Sequence, residues 1–343
     1  MKLFAVLKYL CGLMLILQTS FAIAETQKHR SFAARKEVQQ FIVEMHLKHG
    51  FDKKNLTAHF KKFNTDPKVL ALMSKQYEAL PWYRYRTHVV TEQRVKEGVL
   101  FWQEFENELA LAEEKFGVPP EVIVAILGIE TGYGKVTGNF PVLQTLATLA
   151  FDYPRRSAFF KQELEHFLLL THAGDLHPTK TLGSFAGAIG VAQFMPSSYR
   201  QYAVDFSGKG KRDLVHNTSD VIGSVANYLK THGWQPNHAI ACKAVISGSA
   251  YRQLPRRSDH KPHLSFSELK KYQIKASGLS EKDQKKHKAK FIALEGPNQT
   301  QEFWIGLHNL YVITRYNNSI HYSMAVYELS QRLRNHYAKD EVE

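Results

Sequence analysis

The feature that most constrains the fold is an unbroken run of apolar residues and glycine from Val122 to Ile129, which is followed by a single carboxylate, Glu130. Because no position of this run is polar, it predicts a helix that is buried on all sides. Pro119-Pro120 precedes the run and suits the first turn of a helix. Gly132-Tyr133-Gly134 follows Glu130 and is predicted to end the helix. The chain is therefore expected to fold around a buried helix with one acidic group at its carboxyl end.

The position of Glu130 predicts a raised pKa for its carboxyl group. The carboxyl end of a helix is the negative end of its dipole, and apolar surroundings also disfavour an ionised carboxylate. A carboxylic acid that is still protonated near neutral pH can act as a general acid. Pairing with an arginine, or capping by backbone amides, would instead give Glu130 a purely structural role. Both interpretations are open from this stretch alone.

Residues 1–24 have the features of a secretory signal peptide. Lys2 and Lys8 supply positive charge, Leu10 to Leu17 is apolar, and Ala22-Ile23-Ala24 fits a small-residue cleavage site. The apolar run is short for a membrane span, and retention as an amino-terminal anchor is the alternative. After cleavage Cys242 is the only cysteine, so no intramolecular disulfide is expected.

The charge of the chain favours a polyanionic partner. The formal net charge is +13 at pH 7. Together with an export signal, this favours an anionic cell-wall polymer or a membrane surface over nucleic acid. Runs such as Lys285-Lys286-His287-Lys288 are more typical of solvated faces than of sites.

Hydrophobic periodicity predicts a mainly helical chain with one β-rich segment. Pro81 to Arg86 interrupts the helical pattern with aromatic and basic residues, a mixture that carbohydrate stacking needs. The short apolar runs between Pro236 and Pro297 predict a small β-rich insert. The predicted helices cover Glu37 to Gly50, Pro67 to Met73, Thr91 to Phe116, Val142 to Ala150, Ser157 to Leu170, Asp220 to Thr231 and Ser319 to Tyr337.

Several familiar catalytic motifs are absent from the sequence. It contains no Gly-x-Ser-x-Gly nucleophile motif, no His-Glu-x-x-His motif and no cysteine pair for zinc. Gly132-Tyr133-Gly134 fits neither the dinucleotide nor the phosphate-loop spacing. These absences leave an exported, mostly helical protein with one buried glutamate.

Six ordered motifs resemble those of the lytic murein transglycosylase B family, the peptidoglycan lyases of glycoside hydrolase family 103. The resemblance extends from about Pro81 to Leu329. The motifs are GIETGYG around Glu130, Tyr153 to Arg156, Gly183 to Tyr199, Gln201 to Asp205, Ile222 to Tyr228 and Ile313 to Asn317.

The resemblance implies a mainly α, α+β fold with a lysozyme-like core. The signal peptide would be followed by an α-helical domain from residues 25–115 and 319–343. The catalytic core would comprise residues 116–236 and 299–318, and a small β-rich domain would comprise residues 237–298. The cleft is expected where these parts meet.

The resemblance also implies how one carboxylate suffices, whereas an ordinary glycosidase uses two. In this family a glutamate protonates the glycosidic oxygen between N-acetylmuramic acid (MurNAc) and N-acetylglucosamine (GlcNAc). The substrate's N-acetyl group can stabilise the positive charge at the anomeric carbon. The same glutamate then takes the proton of the muramic acid 6-hydroxyl, which attacks and gives a 1,6-anhydro product. By resemblance, Glu130 is this acid and base.

Other site residues follow where the motifs match. Ser184 and Gln193 resemble hydrogen-bonding groups near the cleaved bond, and Asn317 resembles a contact to an N-acetyl group. Arg155 and Arg156 are expected to bind peptide or lactyl carboxylates. The tyrosines expected to stack on sugar rings are Tyr85, Tyr228 and Tyr316. For each residue alone, a packed aromatic or a structural arginine is the alternative.

Relatives often carry a calcium loop that resembles an EF-hand, and the matching loop here departs from that pattern. Asp205, Ser207, Asp213 and Asp220 are potential oxygen ligands. Lys209 stands at the fifth loop position, where calcium needs an oxygen donor, and is a candidate to bridge Asp205 and Asp220 in place of the ion. We therefore expect no tight calcium site, no cofactor and activity that tolerates a chelator.

Two alternatives of other classes stay open: a non-catalytic peptidoglycan-binding or scaffold protein, and a hydrolytic muramidase. A muramidase needs a second carboxylate, for which Asp152 is the nearest candidate by sequence. The expected partners are peptidoglycan glycan strands, with other cell-wall enzymes as further candidates and no nucleic acid. The expected location is the periplasm, and membrane contact is left open.

Overall fold

The computed structural model describes residues 31–74, 80–255 and 257–340. The predicted signal peptide lies outside this part of the chain. No helix within the described ranges is long and apolar enough to cross a membrane. As expected, these ranges are mainly helical.

The helices and strands follow one another in this order: α1 (Lys36–His49), α2 (Lys53–Lys61), α3 (Pro67–Ser74), α4 (Trp82–Val89), α5 (Glu92–Glu104), α6 (Glu106–Phe116), α7 (Pro120–Thr131), β1 (Phe140–Pro141), α8 (Val142–Asp152), α9 (Ser157–His172), β2 (Leu182–Gly183), α10 (Pro196–Tyr202), α11 (Thr218–Thr231), β3 (Ala241–Ile246), α12 (Phe266–Lys271), β4 (Ile274–Ser277), α13 (Glu281–Lys286), β5 (Lys290–Glu295), β6 (Gln301–Gly306), α14 (His308–Tyr316) and α15 (Ile320–Asp340).

The chain divides into two compact units. The first unit comprises Met1–Gln76, Gly138–Ile189 and Met195–Ser197. The second comprises Tyr77–Thr137, Gly190–Phe194 and Ser198–Glu343. These units do not coincide with the three predicted domains, whose division stays a prediction.

The first unit is built on α8 and α9, which pack against each other. Phe41 of α1 lies between two aromatic rings, edge-on to Phe60 at 6.3 Å and to Phe151 at 6.0 Å between ring centroids. Such edge-to-face contacts add to the area that the rings bury. The predicted apolar stripe of α1 is buried, and Gly50 ends that helix in the left-handed conformation with φ 71°. This outcome confirms the predicted first helix.

The second unit is organised around α7, whose residues from Val122 to Leu127 are completely buried. Helices α5 and α15 pack along it. Gly132 ends α7 with φ 57°, a conformation that glycine adopts without steric cost. The predicted buried helix and its glycine stop are therefore confirmed.

Two helix predictions were wrong in detail. The single helix expected from Thr91 to Phe116 is two helices, separated at Phe105 (φ −115°, ψ 32°). No glycine or proline marks this break, and both helices bury apolar residues, so periodicity alone does not reveal it. The expected interruption at Pro81 to Arg86 is instead the start of α4. Proline suits a helix start because its missing N–H needs no partner there.

The β-rich segment forms a four-stranded antiparallel sheet in the order β4-β3-β6-β5. Strand β6 begins beyond the predicted end of the β-rich domain at residue 298 and pairs with both β3 and β5. The family resemblance placed residues 299–318, and with them β6, in the catalytic core. Buried side chains on one face of the sheet pack around Leu269 and Ile305 and form the core of this segment.

Candidate active site

Glu130 lies in the last turn of α7 and is half-buried. The hydroxyl of Tyr322, on α15, donates a hydrogen bond to its Oε1 at 2.7 Å. Burial raises the pKa of Glu130 to about 7, and the hydrogen bond from Tyr322 opposes part of this rise. The predicted direction of the shift is thus confirmed. Glu130 forms no ion pair within the described chain, so the arginine-paired structural alternative does not apply.

The turn after Glu130 is held by Thr131 and Tyr133. Thr131 Oγ1 donates to the carbonyl of Val191 at 2.9 Å and accepts the amide of Gly134 at 3.0 Å. Tyr133 has φ 62° and donates from Oη to the carbonyl of Arg94 at 2.7 Å. These bonds give the carboxyl end of α7 a defined geometry.

Two glycines make room for the ring of Tyr133. A Cβ atom at Gly98 would stand 2.3 Å from Tyr133 Oη, and one at Gly128 would stand 2.5 Å from it. Gly128 belongs to the GIETGYG motif, and Gly98 lies on α5. The spacing of glycine and tyrosine in the motif therefore serves packing at the end of the glutamate helix.

Tyr316 and Tyr322 lie close to Glu130 with parallel rings, whose centroids are 6.4 Å apart at an interplanar angle of 8°. Tyr316 Oη donates to the carbonyl of Ala192 at 2.5 Å. Burial and then the charge of Glu130 raise the pKa of both tyrosines. Both hydroxyls are therefore proton donors that keep their protons across the physiological range.

Tyr228 occupies a supporting position. Its ring is 7% exposed and stacks on His232 at 4.1 Å between centroids. Its hydroxyl donates to the carbonyl of Arg315, and its edge meets Tyr316 at 4.9 Å. So small an exposed area leaves little surface for a sugar, and the contacts assign Tyr228 to holding Tyr316 rather than to the stacking expected from the sequence.

Tyr85 belongs to an aromatic group at the start of α4. Its half-buried ring lies 6.4 Å from Trp82 and 5.8 Å from His321 between centroids. Burial and then the charge of Glu130 raise the pKa of the Tyr85 hydroxyl. Tyr85 is thus within electrostatic reach of the glutamate, as its expected role requires.

Gln193 and Asn317 complete the predicted residues of the second unit. Gln193 has φ 50°, and its Nε2 donates to the carbonyls of Thr137 at 3.0 Å and Gly190 at 2.8 Å. The amide nitrogen is thus occupied, which leaves the side-chain oxygen as the group that can accept from a substrate. Asn317 is exposed at the end of α14.

Ser184, Arg155 and Arg156 belong to the first unit. Ser184 Oγ accepts the amides of Ala188 at 3.1 Å and Ala186 at 3.3 Å, so it closes a local turn. Both arginines are exposed, and the guanidinium of Arg156 lies 4.2 Å from the ring centroid of Phe159. No carboxylate within the described chain pairs with either arginine.

Asp152, the candidate second carboxylate, is fully engaged in the first unit. Its two oxygens accept from the two terminal nitrogens of Arg35, each at 2.9 Å. Thr65 Oγ1 donates a third hydrogen bond at 2.7 Å. This bidentate pair has a structural role, since it ties the end of α8 to the residue that precedes α1.

The loop expected to be a degenerate calcium site holds its carboxylates with backbone amides. Asp205 accepts from the amides of Lys209 at 3.0 Å and Gly210 at 2.7 Å. Asp220 is completely buried and accepts from the amides of Ser207 at 2.8 Å and Asp213 at 2.9 Å. These backbone hydrogen bonds contribute to the shape of the loop.

The donor set of this loop does not fit calcium. The Lys209 side chain is exposed and pairs with no carboxylate in the described chain, so the bridge between Asp205 and Asp220 was wrong. Within the described ranges, no group of three His, Cys, Asp or Glu side chains is arranged to hold a metal. A lysine at the fifth position supplies a charge of the wrong sign and no oxygen.

Sequence reasoning missed Tyr322 and His321 as site residues. Tyr322 lies on the buried apolar stripe of α15, where periodicity does not distinguish it from leucine. The available signal was chemical: a tyrosine hydroxyl in an apolar stripe needs a hydrogen-bond partner. Only the fold shows that this partner is Glu130.

A mainly helical fold with one protonatable glutamate at the end of a buried helix defines a lysozyme-like enzyme. A family model described as "Transglycosylase SLT domain" matches residues 33–331, and the chain belongs to this family. The chain is 41% identical over 311 residues to the membrane-bound lytic murein transglycosylase B of Escherichia coli (strain K12), covering 88% of this chain and 83% of that protein.

Solved structures agree with this family. The soluble lytic transglycosylase SltB1 from Pseudomonas aeruginosa matches with a TM-score of 0.83 and 38% identity, covering 88% of this chain and 99% of that one. The Escherichia coli lytic transglycosylase Slt35, solved in complex with calcium, matches with a TM-score of 0.82 and 41% identity, covering 91% and 97%. The chain is a lytic transglycosylase, which confirms the resemblance and the lysozyme-like fold expected from its motifs.

Proposed function

We propose that this lytic transglycosylase cleaves the β-1,4 bond between MurNAc and GlcNAc in peptidoglycan, with Glu130 as general acid and then as general base. The observation that carries this proposal is the half-buried Glu130 carboxyl, whose pKa is about 7 and whose partner is the Tyr322 hydroxyl. At neutral pH such a group is divided between its two protonation states, as an acid that must become a base requires.

In the first step, protonated Glu130 gives its proton to the glycosidic oxygen, the bond from that oxygen to the anomeric carbon breaks, and GlcNAc leaves with a free hydroxyl. The N-acetyl oxygen of MurNAc stabilises the positive charge left on the anomeric carbon. In the second step, Glu130 takes the proton of the MurNAc 6-hydroxyl while that oxygen bonds to the anomeric carbon. The product is a 1,6-anhydro ring, no water is consumed, and Glu130 is protonated again.

The intramolecular nucleophile supports a site with one carboxylate. A 6-hydroxyl on the same sugar is held near the anomeric carbon without a bound water. The hydrolytic alternative needs a second carboxylate that activates water. Asp152, its candidate, is bound by Arg35 and Thr65. This observation favours the lyase over the muramidase.

The roles of the other proposed site residues follow from the ring surfaces, hydrogen-bonding atoms and charges that they leave free for a substrate. Tyr85 and Tyr316 present ring surface near Glu130, Gln193 offers its side-chain oxygen, and exposed Asn317 is suited to an N-acetyl contact. For the first unit, we infer that Ser184 contributes a hydrogen bond near the cleaved bond. Arg155 and Arg156 are exposed cations suited to the carboxylates of the lactyl group or the stem peptide.

Digestion of purified peptidoglycan, followed by mass spectrometry of the released muropeptides, tests the reaction. Lyase chemistry gives anhydro-MurNAc ends, which are lighter than hydrolytic reducing ends by one water. Reducing ends would identify a muramidase. Binding of peptidoglycan without release of fragments would identify the non-catalytic alternative.

We infer that the enzyme acts in the periplasm after export directed by residues 1–24. The signal-like composition of this segment and the peptidoglycan substrate support this location. The Escherichia coli relative is named as membrane-bound. Contact with the membrane, through a retained amino-terminal segment or a basic surface, is therefore the alternative to a freely diffusing enzyme.

A further inference from the structure

A groove of about 990 Å³ lies along strands β5 and β6, on the face that carries Phe291 and Phe303. These two rings are stacked with centroids 5.8 Å apart and an interplanar angle of 14°. The ring of Tyr251 meets Phe303 edge-on at 5.0 Å. All three rings are half-buried, so part of each faces the groove. Half-exposed aromatic rings of this kind offer the apolar surface on which the C–H faces of sugars pack.

The polar lining of the groove is mostly basic. Its basic members are Arg252, Arg257, His263 and Lys290, of which the arginines and the lysine are cations, and Glu295 is the acidic one. Two of these cations have partners: Arg257 pairs with Asp259 at 2.7 Å, and Lys290 donates to two backbone carbonyls at 2.8 and 2.9 Å.

Arg252 is different, because it is exposed and pairs with no carboxylate in the described chain. Its Nε lies 3.4 Å from the hydroxyl of Tyr251, which places the guanidinium beside the aromatic rings. A free guanidinium binds a carboxylate through two parallel hydrogen bonds. The groove thus combines ring surface with one available carboxylate-binding group.

The charge of one residue that lines this groove, Glu295, acts on a residue beside Tyr85. Burial lowers the pKa of His321, and the charge of Glu295, which lines the groove at the end of β5, opposes part of this shift. The ring of His321 lies 5.8 Å from that of Tyr85. Tyr85 is in turn within electrostatic reach of Glu130.

We propose that this groove is a distal binding site for a peptide-bearing glycan strand, with the aromatic rings holding sugar faces and Arg252 binding a carboxylate of the stem peptide. The proposal rests on the proposed function, since it assigns another part of the same polymer to this enzyme. Charge complementarity supports it, because stem peptides carry carboxylates and the groove carries an excess of cations.

The test compares Arg252→Ala with Lys282→Ala in full-length mature protein. Lys282 is an exposed lysine on α13, outside the groove and without an ion pair in the described chain, so its removal matches the loss of one positive charge. Each change is made with Glu130→Gln so that the polymer is not digested. Binding is measured by co-sedimentation with intact sacculi and with glycan strands whose stem peptides have been removed.

The expected result is that Arg252→Ala weakens binding to intact sacculi by about 3- to 10-fold, the effect of one charge-assisted hydrogen-bonding group. Binding of Arg252→Ala to peptide-free strands should change by less than about 2-fold. Binding of Lys282→Ala to either polymer should also change by less than about 2-fold. A third variant, Phe303→Leu, should weaken binding to both polymers, because it removes ring surface that both use. Melting temperatures show whether each variant is folded.

Equal losses of sacculus binding in Arg252→Ala and Lys282→Ala would overturn the proposal, because they would indicate unspecific attraction to a polyanion. Unchanged binding by Arg252→Ala would also overturn it. Loss of binding only to vesicles that contain phosphatidylglycerol would assign Arg252 to a membrane surface instead. Release of anhydro-muropeptides by the wild-type enzyme is scored separately, so failure of the distal site is distinguishable from failure of the proposed function.

Discussion

At the scale of single residues, the proposed chemistry depends on the environment of the Glu130 carboxyl group. Glu130 forms no ion pair in the described chain, and its partner is a neutral hydroxyl. An arginine in place of Tyr322 would lower the pKa of Glu130 and remove the acid. The neutral donor instead orients the carboxyl group while burial keeps its pKa high. Orientation and acidity are thereby set by different neighbours.

Replacing Glu130 by glutamine is expected to abolish cleavage while retaining the fold. Glutamine has nearly the same shape but no transferable proton, and loss of a positioned acid costs about 10²–10⁴ in rate. Release of anhydro-muropeptides from sacculi measures this loss, and Glu92→Gln, at an exposed glutamate on α5, is the matched control. Near wild-type release by Glu130→Gln would show that another residue is the acid.

The same variant also tests the pKa through stability. In the folded state the pKa of Glu130 is about 7, above the ordinary glutamate value of 4.5, so the native state binds more protons than the unfolded state between these pH values. The contribution of protonated Glu130 to stability is therefore present below about pH 4.5 and is lost as the pH rises through about 7. Glu130→Gln lacks this loss. The melting temperature of Glu130→Gln minus that of wild type should therefore increase from pH 5 to pH 8. A difference that stays constant over this range would contradict the raised pKa.

Replacing Tyr322 by phenylalanine is expected to move the alkaline limb of the pH–rate profile to higher pH. The Tyr322 hydroxyl donates to Glu130 and favours its ionised form, so removal of this donor raises the pKa further. Tyr327→Phe is the control, because Tyr327 lies on the same helix and its hydroxyl makes no hydrogen bond in the described chain. An alkaline limb that stays in place or moves to lower pH would argue against this role.

At the scale of elements, the glutamate helix is positioned from its carboxyl end. The motif residues after Glu130 bond to the backbone of Val191 and Arg94, and two glycines leave space for Tyr133. The motif therefore encodes a packed junction at the carboxyl end of α7 as well as the glutamate proposed to be catalytic. This accounts for the presence of glycine inside α7, where glycine lowers intrinsic helix stability.

Gly128→Ala is expected to destabilise the protein by about 1–3 kcal/mol, because the new methyl group overlaps the buried Tyr133 ring. The added Cβ atom would lie 2.5 Å from Tyr133 Oη and 2.7 Å from Cζ. Thermal unfolding measures the loss, and activity should fall with it because Glu130 is two residues further on. Adding Tyr133→Phe removes the shortest overlap and should recover part of the loss. Simple additivity of the two changes would contradict this packing argument.

The loop from Asp205 to Asp220 is expected to keep its shape without calcium. Its carboxylates accept backbone amides, and exposed Lys209 occupies the fifth position. Calcium calorimetry on chelator-treated protein should therefore detect no micromolar binding, and activity should tolerate the chelator. Micromolar binding, or a large calcium-dependent rise in melting temperature, would refute this expectation. Lys209→Asp, which restores an oxygen donor, is the informative companion variant.

At the scale of the whole molecule, the charge distribution matches an extended anionic substrate. The formal net charge is +13, and the β-rich segment carries many of the exposed lysines. Such a charge favours contact with a polyanionic wall and makes binding dependent on salt. The groove along β5 and β6, with Arg252, is the proposed binding site for part of this anionic polymer.

The mature protein is expected to begin near Glu25, because the small-residue motif Ala22-Ile23-Ala24 precedes this position. Amino-terminal sequencing of protein purified from the cell envelope checks the cleavage site. An intact Met1 on membrane-bound protein would identify a retained anchor. An intact Met1 on cytoplasmic protein would remove the periplasmic assignment.

Much of the fold was determined by the sequence alone, because its strongest signals are local. The apolar run before Glu130 could only be a buried helix, and its glycine stop needed a left-handed residue. The motifs around Glu130 and from Gly183 to Tyr199 were long enough to indicate the family. The proposal of Glu130 as the acid rests on burial and helix position, which are properties of its own segment.

Only the tertiary structure decided the partners of these residues. Tyr322 is 192 positions from Glu130, and no pattern in either segment shows that the two meet. The burial of Tyr228, the pairing of Asp152 with Arg35 and the central place of β6 in the sheet likewise depend on contacts between distant segments. Periodicity reports which face of an element is buried. It carries no information about which residue of another element lies against that face, and hydrogen bonds and pKa values are set by that neighbour.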